Sequence, residues 1–266
     1  MRGLERRIIY LLIALSVIIP FLFKIKTKVE ISPPVMSAYN TIESLKEGTP
    51  VLISIDYDPA SMPELQPMLL AILRHCVKKK LKIILMAHWP LGVPLGQEAI
   101  EKIAKEYGLK YGEDYVNLGY RPGGAGVIIS MGREIRDIFD CDFKGTPVDS
   151  LPLMRNVHNY DDIGVVIGLE AGSVGDWWAQ NLGPRFGAKL ILGSTAVVTP
   201  DLYPYLASGQ CQGLIGGLRG AAEYENLVGH PSVATIGMIP QSAAHALIII
   251  FIIIGNIIYI LQRRRK

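Results

Sequence analysis

The chain lacks most of what would tie it to one chemistry. Its three cysteines, Cys76, Cys141 and Cys211, are an odd and sparse set, which excludes a disulfide framework. Cys141 and Cys211 are the pair open to bridging in an oxidising compartment; unpaired thiols are the expectation, with Cys76 a core residue. The histidines, His75, His88, His158, His230 and His245, show no ligand spacing with one another or with the cysteines, so no metal motif is read. There is no Walker or dinucleotide glycine pattern, no nucleophile elbow, no repeat and no low-complexity stretch. Arg121-Pro122-Gly123-Gly124 reads as turn chemistry. Asp140-Cys141-Asp142 opens like a calcium loop, but Lys144 then occupies a ligand position and Leu151 stands where the closing glutamate belongs.

Positive charge is scarce outside the ends. The first twenty-eight residues hold six cations against one acid and the last four hold four cations, which leaves the middle of a +3 chain six charges negative. An acidic middle argues against a phosphate-backbone partner, so no nucleic acid is expected, and the terminal cations suit membrane orientation instead.

What the sequence does have is two long apolar runs. Residues 243–261 form a run whose helix would be about 28 Å long, close to the hydrocarbon thickness of a bilayer. Four cations lie in the tail 262–266, and no lysine or arginine occurs between Arg219 and Arg263, which places this tail in the cytoplasm by the positive-inside bias. Near the start, Arg2, Arg6 and Arg7 precede a second run, residues 8–25, broken by Ser16 and Pro20. It reads as an uncleaved anchor, since no small-residue cleavage site follows directly, and residues 1–7 are then a short cytoplasmic N-terminus.

Residues 26–50 read as a linker with a short helix near Met36 to Lys46, and residues 51–240 as one extracytoplasmic domain. Strand candidates are Val51–Ile55, Ile83–Ala87, Tyr115–Leu118, Ile163–Leu169, Lys189–Leu192 and Gly213–Ile215. Helical patterns fall between them, including Ser61 to Val77, Gln97–Tyr107, Val127–Phe139, Ser173 to Leu182 and Leu218–Leu227; Asp140 to Asp161 reads as irregular. Ser61-Met62-Pro63-Glu64 and Ser173-Val174-Gly175-Asp176 have the spacing of capping boxes. Short strands alternating with helices predict an α/β fold: a doubly wound, mostly parallel sheet with helices on both faces, flanked by one transmembrane helix at each end.

In such a sheet ligands gather beyond the carboxyl ends of the strands. The exits carry Asp56 and Asp58, His88, Gly172 and Ser173. Further along they carry Ser194 and Thr195, then Gly216 and Gly217. These are the expected ligand-binding residues. Asp56-x-Asp58 after an apolar strand resembles the first motif of the haloacid-dehalogenase phosphotransferases. That resemblance implies Asp56 as nucleophile, Asp58 as general acid and a Mg²⁺ held by carboxylates. Asp161-Asp162 precedes a strand where that family's acidic pair follows one.

In the second apolar run His245 and Asn256 are eleven residues apart and share a helix face, near Ile252 and Tyr259, which makes them candidates for transmembrane packing against the first helix or a neighbouring subunit. Both termini together are too short to carry a signalling domain. The reading is a two-pass membrane protein whose extracytoplasmic domain serves as scaffold or accessory subunit, with a small-ligand pocket on the strand rim and no cofactor. Its partners are the lipid bilayer and other membrane subunits or itself. The alternatives are a membrane-tethered phosphohydrolase using Asp56, Asp58 and Mg²⁺, and a ligand sensor acting through a partner.

Overall fold

The computed structural model describes residues 2–23 and 29–263. Ile25 and the cations of residues 264–266, both part of the topology argument, lie outside them. The chain divides into two compact units, residues 30–234 and the two terminal segments together.

The first unit is a six-stranded sheet with every neighbouring pair parallel, in the order β3-β2-β1-β4-β5-β6. Its strands are β1 (Pro50–Asp56), β2 (Lys82–Ala87), β3 (Tyr115–Tyr120), β4 (Val165–Glu170), β5 (Leu190–Ser194) and β6 (Gly213–Gly216). The central strands are apolar on both faces, as a sheet covered on both sides requires. One cover consists of α2 (Pro33–Glu43), α3 (Met62–Lys78), α4 (Gly92–Tyr107) and α8 (Gly217–Leu227), which pack on one another or on the sheet. The other consists of α5 (Ala125–Met131), α6 (Val174–Phe186), α7 (Thr199–Ala207) and the irregular excursion with its short 3-10 turns. α2 lies so close to β6 that a side chain at Gly213 would collide with the Ala38 backbone.

Several local expectations are corrected. The helix expected over Val127–Phe139 stops at Met131, because the Phe186 ring occupies the space beside Gly132 and the backbone turns so that the Ile135 amide donates to the His158 carbonyl at 2.7 Å. α4 starts at Gly92, ahead of the expected Gln97, with Pro94 tolerated in its first turn. Neither capping box forms: Ser61 and Ser173 make no side-chain cap bond. Their acidic partners act elsewhere or are displaced, since Glu64 accepts from the Ala196 amide at 2.7 Å and α6 is capped by Glu170 instead.

Both ends of this unit are fastened to α8. Glu223 is buried and accepts from the amide of Ser32 at 2.8 Å and from its hydroxyl at 2.5 Å. Glu225, also buried, accepts from the amides of Ser232 at 2.8 Å and Ala234 at 3.1 Å, where its charge suits the free N–H groups of a helix start.

The second unit contains α1 (Arg2–Phe23) and most of α9 (Val233–Arg263), both long and apolar enough to cross a membrane. α9 has 31 residues and begins well before the apolar run expected at Ala243, running through Pro240. On α1 the less exposed Ile13, Ser16, Val17 and Pro20 share a face; on α9 Pro240, Ala243, Ala244, Leu247 and Phe251 do. At about 100° per residue, His245 and Asn256 fall on the opposite side of α9 from that stripe, and both are exposed.

Candidate functional site

Because all six strands are parallel, every strand exit named from the sequence opens on one edge. The strand order reverses between β1 and β4, with β2 and β3 added outward on the β1 side and β5 and β6 outward on the β4 side, and such a reversal opens a crevice at the carboxyl edge. Asp56 ends β1, Glu170 ends β4, and the two are register partners. Side chains alternate along a strand, so Ser54 and Asp56, Gly168 and Glu170, and Leu192 and Ser194 each point to one face. That face is the one covered by α6, whose Trp178 packs over Gly168.

Asp56 and Glu170 are completely buried. Asp56 accepts from the Ser54 hydroxyl at 2.5 Å and the His88 amide at 2.5 Å. Glu170 accepts from the Gly175 amide at the start of α6, and a side chain at Gly175 would collide with that carboxyl group. An internal carboxylate thus sits where helix N-termini of this fold commonly receive a ligand phosphate. Neither acid makes an ion pair among the described residues. Burial pushes Asp56 up to about 7 against the bonds from Ser54 and His88, and pushes Glu170 up to about 9 with the charges of Asp56 and Asp176 adding to it. Glu170 is therefore a neutral acid at pH 7.

His88 continues the same line beyond β2. It is 7% exposed, the Arg121 backbone carbonyl faces its ring, and neither ring nitrogen makes a hydrogen bond of full geometry. Burial lowers it to about 4, so the ring is neutral. The other buried histidine, His75, has Tyr224 on Nδ1 at 2.7 Å and Glu43 on Nε2 at 2.9 Å, so ordinary core histidines of this chain are satisfied. Glu170 Oε1 and Trp178 Nε1 are likewise buried and unpaired. Each such group costs about 1–3 kcal/mol relative to a bonded one. The chain's three tryptophans gather here: Trp177 and Trp178 meet the His88 ring edge-on at 6.2 and 5.7 Å between centroids, and Trp89 lies over Gly172.

The remaining residues of the expected rim separate into different jobs. Asp58 accepts from the Ala60 and Ser61 amides at 3.0 and 3.3 Å, a local turn that leads into α3. Ser194 pairs with the Thr199 hydroxyl at 2.9 Å, and the Thr195 amide donates to the Glu170 carbonyl at 3.3 Å. Ser173 is exposed at the mouth. Gly216 lies farther out and lines a different cavity, of about 320 Å³, with Ser32, Thr199, Tyr203, Arg219 and Glu223; Gly217 is buried beside Glu64 and Ala196. Asp56 and Asp58 thus have separate partners, and among the described residues no three His, Cys, Asp or Glu side chains converge to hold a metal ion. The three thiols are unpaired, Cys76 and Cys211 buried and Cys141 partly exposed.

Glu170 and the tryptophans were not among the expected site residues. Glu170 had a signal, as an acid closing an otherwise apolar strand; the tryptophans, one in the turn after β2 and two in α6, had none. No family model, curated protein or solved structure matches the chain.

Proposed function

We propose that the chain is a two-pass membrane protein whose extracytoplasmic α/β domain serves as an accessory subunit of a membrane complex and binds a small ligand at the strand switch point. One observation supports the anchoring most directly: Ser32 at one end of the domain and Ser232 with Ala234 at the other are held by glutamates of the same helix, α8. A domain that leaves the membrane and returns to it needs its ends gathered in this way. The cytoplasmic excess of cations expected for Arg263 and the residues after it sets the orientation.

The subunit role draws its support from α9. His245 and Asn256 stand on the face opposite the less exposed stripe. Polar side chains in hydrocarbon seek partners, so a neighbouring subunit is the occupant this face suits. Purification of the tagged full chain in mild detergent tests the reading. Stoichiometric association with a membrane protein, or with further copies of the chain, is the expected result; a monodisperse single copy would oppose it.

The ligand site is supported by the unpaired His88, Glu170 and Trp178 atoms. They lie together at the place where this architecture binds ligands.

A further inference from the structure

Resting on the membrane-subunit reading just given, we propose that the partner of α9 is a second copy of this chain. The two helices lie parallel in the bilayer, held in register by Asn256 of each copy against its counterpart.

The polar side chains select the face. From Ser242 to Leu261 they are Ser242, His245, Asn256 and Tyr259, and all four fall on one line of alternating three- and four-residue steps, which runs Ser242, His245, Ile249, Ile252, Asn256, Tyr259. At about 100° per residue these six positions stay within about 100° of arc. All six are exposed, Ile249 at 56% and Ile252 at 57%, and the less exposed stripe through Pro240, Ala244, Leu247 and Phe251 is on the far side of the helix. A seam that repeats every 3.5 residues is what lets two helices wind left-handedly about one another, and membrane helices mostly cross at that shallow angle.

Depth separates the work of the polar groups. Arg263 lies seven residues beyond Asn256, about 10 Å along the axis, so Asn256 stands inside the hydrocarbon. His245 lies eighteen residues before Arg263, about 27 Å away and near the opposite interface, where water is at hand. The Ser242 hydroxyl donates to the Met238 carbonyl at 2.9 Å. Asn256 is therefore the group that must find its partner within the membrane.

Self-complementarity selects the occupant. A carboxamide donates and accepts at once, so two asparagines facing across a two-fold axis each give and take a hydrogen bond. Copies inserted under the same charge rule are parallel, which puts Asn256 at equal depth in both. A single asparagine on such a seam fixes register and strand number in paired helices. The first helix is a poorer match: between Ile8 and Phe23 its polar side chains are Tyr10 and Ser16, and the Ser16 hydroxyl already donates to the Ile13 carbonyl at 2.8 Å.

The test co-expresses two differently tagged full chains and captures one of them in mild detergent. The second tag is expected to co-purify. Asn256→Leu should weaken the pairing about tenfold, the effect of losing two interhelical hydrogen bonds. Ile249→Asn added to Asn256→Leu, one repeat earlier on the seam, should restore it, and Ile250→Asn, about 100° further round, should not. Restoration also shows that Asn256→Leu leaves the fold intact. In native membranes, oxidation should cross-link Ile252→Cys into a dimer, while Leu247→Cys, on the far side, stays at the level of the parent chain. Capture of a different membrane protein without the second tag would overturn the second-copy assignment and leave the subunit reading standing; a lone monodisperse chain would remove both. Pairing indifferent to Asn256, or restored from both positions or from neither, would overturn the seam.

Discussion

Replacing Glu170 by glutamine should make the domain more stable in alkali, against the usual outcome for a fully buried central residue. The glutamine is isosteric, and its amide oxygen can still accept from the Gly175 amide. In the wild type, burial and the charges of Asp56 and Asp176 raise Glu170 from 4.5 to about 9. A raised acid contributes stability that is present below its unfolded value and is lost as pH climbs toward its folded value. Each pH unit in that interval costs about 1.4 kcal/mol per such group. His88, lowered to about 4, acts oppositely, its contribution falling as pH drops below its ordinary value, and Asp56, raised to about 7, is half titrated there and is common to both proteins. Between about pH 7 and pH 8.5 Glu170 therefore dominates, and the wild type should lose about 2 kcal/mol that the variant keeps. For a domain of this size that is about 4–8 °C in melting temperature. Tryptophan fluorescence in mild detergent reads it, since all three indoles lie near the site. Parallel melting curves for the two proteins across that range would refute the reasoning.

Asn256→Leu should lower the oligomer size or the retained partner in detergent, because it removes an exposed amide from the face of α9 opposite its less exposed stripe; unchanged size and retention would remove that role. Lys80 is the sole non-glycine residue with positive φ among the described residues, at 52°, so Lys80→Gly should raise domain stability by about 1 kcal/mol in denaturant melts, its exposed pair with Glu47 contributing little. A destabilised Lys80→Gly protein would show that the ion pair or the glycine's entropy outweighs the strain.

The sheet was legible because parallel strands buried on both faces leave short apolar runs, and here each run is closed by a polar or glycine exit. The edges were less so. Val127 to Phe139 has helical spacing, yet Phe186, distant in sequence, fills the space beside Gly132 and ends the helix early. Both apparent capping boxes have the right residue types at the right interval, and in both a tertiary acceptor or donor outcompetes the local bond. The rim residues Asp56, His88, Gly172 and Ser194 were readable as strand exits. Glu170 went unread because an acid inside a buried strand looks like a register limit until its neighbour across the ladder, Asp56, is known. The tryptophan cluster depends on how the turn after β2, with Trp89, meets the start of α6, with Trp177 and Trp178, and no spacing in the chain encodes that.

The central claim is that the α/β domain lies outside the membrane it is anchored in. Cys141 is partly exposed while Cys76 and Cys211 are buried, so a membrane-impermeant maleimide applied to the native protein reads the position of one thiol in the domain. Labelling of intact cells, abolished by Cys141→Ser, is the predicted result. Labelling confined to inverted vesicles would place the domain in the cytoplasm and contradict the account.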